Sequence, residues 1–215
     1  MKLFIWDFHG TLEKGNERSA RAYTDMVLEQ EGYARRMTGE EEHALYGRKI
    51  HEYFAYLCPG EPQERYMYLQ DCFLKIEQQH PYILQSNIVP NDGAIEVLEA
   101  IHASKHDQII ISNVEVSMLP VFMRAVGFGP YFPDGTSFAT NAHMGEQFNK
   151  HDMLKRYIAG KQFDHLVAIG DAPKDLDYVA AYPSTTYLYA HPGNEFRDFP
   201  ATYRIRDLKE VLKEL

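Results

Sequence analysis

The stretch Lys2-Leu3-Phe4-Ile5-Trp6-Asp7-Phe8-His9-Gly10-Thr11-Leu12 carries the most information in this chain. Its first residues are a short, apolar, β-prone run, which reads as a buried strand. Asp7 follows at the carboxyl end, where open α/β sheets bind ligands. Gly10 lets the chain turn sharply and lets bare backbone approach an anion. Thr11 adds a hydroxyl donor. A carboxylate nucleophile, amide donors and a hydroxyl on one loop suit covalent phosphoryl transfer to Asp7.

Three further segments extend this reading. Gln108-Ile109-Ile110-Ile111-Ser112-Asn113 is a second apolar strand, ending in a hydroxyl and an amide. Asn149-Lys150 opens a helix expected over residues 151–159, stopping at Gly160. His165-Leu166-Val167-Ala168-Ile169-Gly170-Asp171 is a third strand ending in a carboxylate, with Asp175 shortly after. Asp7 and Asp171, at two strand ends, can share one hard cation. Mg²⁺ suits such oxygen ligands and can bridge to a substrate phosphate. Lys150 would offset the negative charge that carboxylates and phosphate accumulate. Lys155 competes for that role, but a position at the start of the helix reaches across strand ends more easily. Asp177 is off the register of Asp171 and Asp175 and reads as a solvated surface charge.

The order strand-Asp, strand-Ser, Lys, strand-Gly-Asp-x-x-x-Asp resembles the haloacid dehalogenase-like hydrolase superfamily, specifically its phosphatases. The resemblance covers roughly residues 1–15 and 88–190. It implies that Asp7 is nucleophile and metal ligand and that the backbone carbonyl of His9 is a second ligand. By the same resemblance, Asp171 is a direct or water-mediated ligand, with Asp175 the acid behind it. Ser112 would hold the transferring phosphoryl group together with the backbone amide of Asn113, near Gly10, Thr11 and Lys150. The chain departs from the family at one position. The first motif is usually Asp-x-Asp-x-Thr, its second Asp acting as general acid/base, and here that position is His9. An imidazole can both give and take a proton near neutral pH.

Composition narrows the function further. The chain has 215 residues, 45% of them hydrophobic, and can build a sizeable core. A formal charge of −9 and the absence of a Lys/Arg block argue against a general nucleic-acid binder. Cys58 and Cys72 make neither a disulfide framework nor a metal spacing and read as buried apolar residues. The histidines at 43, 51, 80, 102, 106, 143, 151, 165 and 191 show no ligand spacing and read as surface or helix residues. No apolar stretch approaches a membrane span, and with the first strand beginning almost at Met1 no signal peptide is expected. A cytoplasmic setting is the expectation.

Residues 16–85 differ from their flanks, being helical in pattern with no strand signal. Asn16 is expected to cap a helix ending before Gly32. Thr38 and Glu41 form a capping box before a helix carrying Leu45, Ile50, Tyr53, Phe54 and Leu57 on one face. Pro62 starts another, with Tyr66, Leu69, Phe73 and Ile76 recurring at helical spacing. Afterwards an α/β rhythm resumes. Its expected elements are a helix capped by Asn91, a helix over 116–125, a loop with a short strand over 132–138, a helix from Asp175, a strand over 185–189 and a helix over 208–215. The fold class is therefore α/β. Residues 1–15 and 86–215 form a Rossmann-like parallel-sheet core, and residues 16–85 an inserted all-helical unit. In the resembled family such an insertion is a cap that closes over the site and selects substrate; Arg18, Arg21, Tyr23, Arg48 and Lys49 are candidates for that selection.

The expected activity is a Mg²⁺-dependent phosphatase acting on a small phosphorylated metabolite through an aspartyl-phosphate. The altered His9 keeps two alternatives open, a phosphotransferase and a non-catalytic relative that binds a phospho-ligand or a protein. A dehalogenase-type hydrolase fits least, because halide displacement needs no metal and Gly170-Asp171 with Asp175 is suited to one.

Overall fold

Leu3, Phe4, Ile5 and Trp6 are all fully buried. A strand apolar on both faces belongs inside a sheet that is covered on both sides. In the computed structural model, which describes residues 1–45, 47–141, 149–192 and 194–215, β1 (Lys2–Trp6) has a parallel neighbour on each side. His143 lies outside the described residues.

Clustering of the chain gives two compact units, Met1–Lys14 with Val89–Leu215, and Gly15–Ile88. The first unit holds two short strands, β2 (Glu13–Lys14) and β3 (Val89–Pro90), paired antiparallel. Its main strands are β4 (Asp107–Glu115), β5 (Ser137–Asn141), β6 (His165–Gly170), β7 (Ser184–Tyr189) and β8 (Tyr203–Ile205). Among the described residues these form with β1 a six-stranded parallel sheet in the order β5-β4-β1-β6-β7-β8. On one face Leu3, Ile5, Ile109, Ile111, Ala168 and Leu188 cluster with Met153, Leu154 and Tyr157 of helix Lys150–Ile158. Helix Ala94–His102 contacts β4 and the 3₁₀ segment Leu208–Glu214, and its Leu98 carbonyl accepts from Gln108 Nε2.

Several local expectations change. Asn91 does not cap the helix after it. Gly93, in the left-handed region, precedes Ala94, while Asn91 is buried and donates to the Thr11 carbonyl at 2.8 Å. β4 runs on to Glu115, and Ser117 bonds back to the Glu115 carboxylate, so the next helix begins only at Leu119. The segment after Asp171 forms two 3₁₀ turns, Pro173–Asp175 and Asp177–Val179, in place of a helix. The short strand β8 had no clear period in the sequence.

The helical unit contains helices Asn16–Gln30, Gly39–Leu45, Ile50–Leu57, Gln63–Gln79 and Pro81–Asn87. Tyr23, Val27, Leu28, Leu45, Phe54, Leu57, Leu69 and Phe73 form its core, with Cys58 and Cys72 buried among them. Thr38 and Glu41 exchange the reciprocal bonds of a capping box. The helix expected to carry both Leu45 and Leu57 is two helices, because Gly47 takes a φ of 80° that no helix continues through. Asn16 is the first helical residue rather than its cap. Tyr23 is a core residue whose hydroxyl donates to the His80 carbonyl and accepts from the Leu84 amide, so it is spent on packing. No described helix is long and apolar enough to cross a membrane.

Gly15 starts the first of these helices with a φ of 101°, and a Cβ there would lie 2.0 Å from the Asn87 carbonyl oxygen. Gly15→Ala should therefore lower unfolding free energy by roughly 1–3 kcal/mol. Urea unfolding followed by circular dichroism measures this, with Gly32→Ala, where a Cβ meets nothing within 4 Å, showing the cost of positive φ alone.

Candidate active site

Parallel strands bring polar residues to one edge of the sheet. Trp6 stands opposite Ile110 on β4 and Ile169 on β6, so Asp7 and Asp171, just past β1 and β6, and Ser112, within the last residues of β4, lie toward the same end of three adjacent strands. The Asp7 amide donates to the Ile169 carbonyl at 2.9 Å, which continues the ladder up to the carboxylate. Lys150 is the first residue of its helix. Asn149 caps that helix, its side chain accepting from the Asp152 amide at 2.9 Å. The Lys150 ammonium is 5% exposed and donates to Asp7 Oδ1 at 2.6 Å and to Asp175 Oδ1 at 2.8 Å. The other Asp175 oxygen accepts from the Ala172 amide at 2.9 Å. Gly170 is what makes room for this acid. A Cβ at Gly170 would lie 2.2 Å from the Asp175 Cβ.

The charges do not balance. Oxygens of Asp7, Asp171 and Asp175 lie within 4.8 Å of one another. Burial raises the Asp7 carboxyl, Asp175 raises it further, and Lys150 pulls it back, leaving it at about 6. Asp171 is lifted to about 7, first by burial and then by Asp7 and Asp175. Burial pushes the Lys150 ammonium down, but Asp7 and Asp175 outweigh it and hold it well above the usual lysine range. Arg197, half exposed at 3.5 Å from Asp171 Oδ2, adds a weak counter-charge. Three clustered hard oxygens facing too little positive charge fit a divalent cation.

The loop after Asp7 is tied inward. The Phe8 carbonyl accepts from the Leu12 amide at 3.0 Å and, more weakly, from Thr11 and Glu13 at 3.4 and 3.3 Å. Thr11 Oγ1 is buried with no hydrogen-bond partner among the described residues. Gly10 takes a φ of 79°, which closes the turn. The His9 ring meets Phe8 and Phe122 edge-on, with centroids 5.2 and 4.7 Å away, and its Nδ1 lies 2.6 Å from Glu13 Oε1. Ser112 is 2% exposed, and the Asn113 side chain accepts from Thr140 Oγ1 at 2.8 Å.

The structure thus brings together Asp7, Lys150, Asp171 and Asp175. Lys155 is exposed, as is Asp177, and none of the described histidines is buried. Residues that sequence reasoning passed over also converge. Glu13 pairs with His9, Asn91 fastens the Thr11 carbonyl, and Arg197 approaches Asp171. Glu13 had a visible signal, as the acid that directly follows the Asp7 loop. Arg197, distant in sequence, had none.

A model of the haloacid dehalogenase-like hydrolase family matches residues 1–181. The chain belongs to that family. No curated protein matches its sequence. Among solved structures, a candidate phosphatase from Clostridium difficile aligns with a TM-score of 0.78 at 12% identity, covering 99% of this chain and 97% of that one. A candidate phosphoglycolate phosphatase from Lactobacillus plantarum aligns at 0.70 and 13% identity, over 99% and 98% of the two chains. A HAD family hydrolase from Deinococcus radiodurans R1, solved with bound phosphate and sodium, aligns at 0.65 and 17% identity over 98% and 94%. At such identities the likeness is one of fold.

The raised carboxyls have a measurable consequence. Folded, they hold protons up to about pH 6 for Asp7 and about pH 7 for Asp171, whereas an unfolded chain releases them near ~4. The folded form binds more protons through that window, so this cluster loses stability as pH rises. In chelator at pH 8, Asp171→Asn should therefore have a higher Tm than wild type. Adding Mg²⁺ should raise the wild-type Tm and leave that of Asp171→Asn nearly unchanged. Differential scanning fluorimetry from pH 5 to 8 reads both effects.

Proposed function

We propose that this hydrolase is a Mg²⁺-dependent phosphatase acting on a small phosphomonoester through an aspartyl-phosphate on Asp7. The observation that carries this reading is the buried Lys150 ammonium held between Asp7 and Asp175, with Asp171 beside them. Such a cluster suits a group that is attacked by a carboxylate while bearing negative charge. Phosphate bound by the Deinococcus relative is consistent with it.

In the first step an Asp7 carboxylate oxygen attacks phosphorus. The bond from phosphorus to the substrate oxygen breaks, and that oxygen takes a proton from His9. In the second step water attacks the phosphoaspartate and gives a proton to His9, and the acyl phosphate bond breaks. Inorganic phosphate and the Asp7 carboxylate are released, and His9 again holds its proton. Lys150 stays charged throughout and stabilises both the attacking carboxylate and the phosphoryl oxygens. Ser112 and Thr11 offer hydroxyls to those oxygens. Asp7, Asp171, Asp175 and the His9 carbonyl would hold Mg²⁺, which when bound offsets carboxylate charge and polarises the phosphoryl group. The helical unit, residues 15–88, would select the substrate, with exposed Arg18, Arg48 and Lys49 as candidates for contacting it.

Hydrolysis of an aryl phosphate should require Mg²⁺ and vanish in Asp7→Asn. Activity that survives in that variant, or in excess chelator, would exclude the mechanism. His9→Ala should slow alkyl phosphates by roughly 10²–10⁴-fold. With an aryl phosphate, whose leaving group needs little acid, the same variant should show a product burst as phosphoenzyme accumulates. Stopped-flow product release distinguishes the two.

A further inference from the structure

Glu13 is a fully buried carboxylate to which the mechanism above gives no task. A buried charge is costly unless paired. The partner of Glu13 Oε1 is His9 Nδ1 at 2.6 Å, while Oε2 has no hydrogen bond among the described residues. The contact is held from both sides. Glu13 lies in β2, paired with Pro90 of β3, and its amide points back to the Phe8 carbonyl at 3.3 Å. The ring of His9 is confined between the edges of Phe8 and Phe122.

This geometry discriminates between the two ring nitrogens. An ionised carboxylate only accepts hydrogen bonds, so the nitrogen facing it must carry the hydrogen. Nδ1 then donates to Glu13, and Nε2 is left to exchange protons. A carboxylate at position 9 would need no such partner, since either of its oxygens can take the proton. An imidazole does need one, because its neutral form has two tautomers and only one leaves Nε2 free of hydrogen. We propose that Glu13 is a positioning residue that fixes His9 in the Nδ1–H tautomer, so that Nε2 serves the reacting oxygen. The proposal rests on the acid/base reading of His9.

Genetic background provides the test. In the otherwise unaltered enzyme, Glu13→Gln should lower kcat for an alkyl phosphate by roughly 10–100-fold with KM little changed. In the His9→Ala background the same substitution should cost nothing, because no ring remains to orient. In the His9→Asp background it should raise kcat, because it removes a like charge buried against the new carboxylate. An equal loss in all three backgrounds would mean that Glu13 only supports the loop, and would overturn the proposal, as would no loss in the first. Full activity of His9→Ala on alkyl phosphates would instead refute the acid/base role of His9, and the positioning role with it. A measurement on the unaltered protein covers the case in which a Glu13 variant fails to fold. Nitrogen-15 spectra of the neutral His9 ring, assigned by comparison with His9→Ala, should show hydrogen on Nδ1; hydrogen on Nε2 overturns the proposal.

Discussion

A single ammonium group, that of Lys150, holds the site together. Taking a charge out of water is expensive, and the expense is met only where opposite charge lies at contact distance. Here two carboxylates do so, one from the end of β1 and one from the turn after β6. The start of a helix, a strand end and a 3₁₀ turn are thereby bound to one point. The same point has a surplus of negative charge, a composition that suits a cation.

The sheet makes this convergence possible. Parallel strands all finish at the same edge, so residues far apart in sequence meet without any loop having to reach. Apolar side chains along β1, β4 and β6 secure the register, and the register sets where Asp7, Ser112 and Asp171 emerge. Gly170 shows how tight the arrangement is. Its missing side chain is the space that Asp175 occupies.

Much of this was legible in the sequence because it depends on local pattern. The runs ending in Asp7, Ser112 and Asp171 are short, apolar and rich in β-prone residues, which reads as strand from local pattern, and Asn149 before Lys150 is a cap by its chemistry. Less legible were features decided by distant parts of the chain. Asn91 has the chemistry of a helix cap, but its side chain donates through Nδ2 to the Thr11 carbonyl, and Gly93 takes over the start of the helix. Gly47 broke a helix whose apolar spacing ran on without interruption, since spacing reports which face is buried and not whether the backbone continues. Tyr23 suggested a ligand contact but is held by two backbone groups more than fifty residues away in sequence. Glu13 could be noticed as an unusual acid, but its pairing with His9 needed the turn between them to be known.

The short ribbon of β2 and β3 has a consequence for how the protein is assembled. It pairs Glu13 with Pro90 and Lys14 with Val89, and the Asn91 amide adds a bond to the Leu12 carbonyl. The chain therefore leaves the sheet-bearing unit and returns to it through two adjacent strands that are bonded to each other. For a chain whose ends are clasped in this way, the entropy of closing the intervening segment grows only with the logarithm of its length. The stem at residues 13–14 and 89–90 is thus a graft junction. Evolution can lengthen, shorten or exchange what lies between without redrawing the sheet.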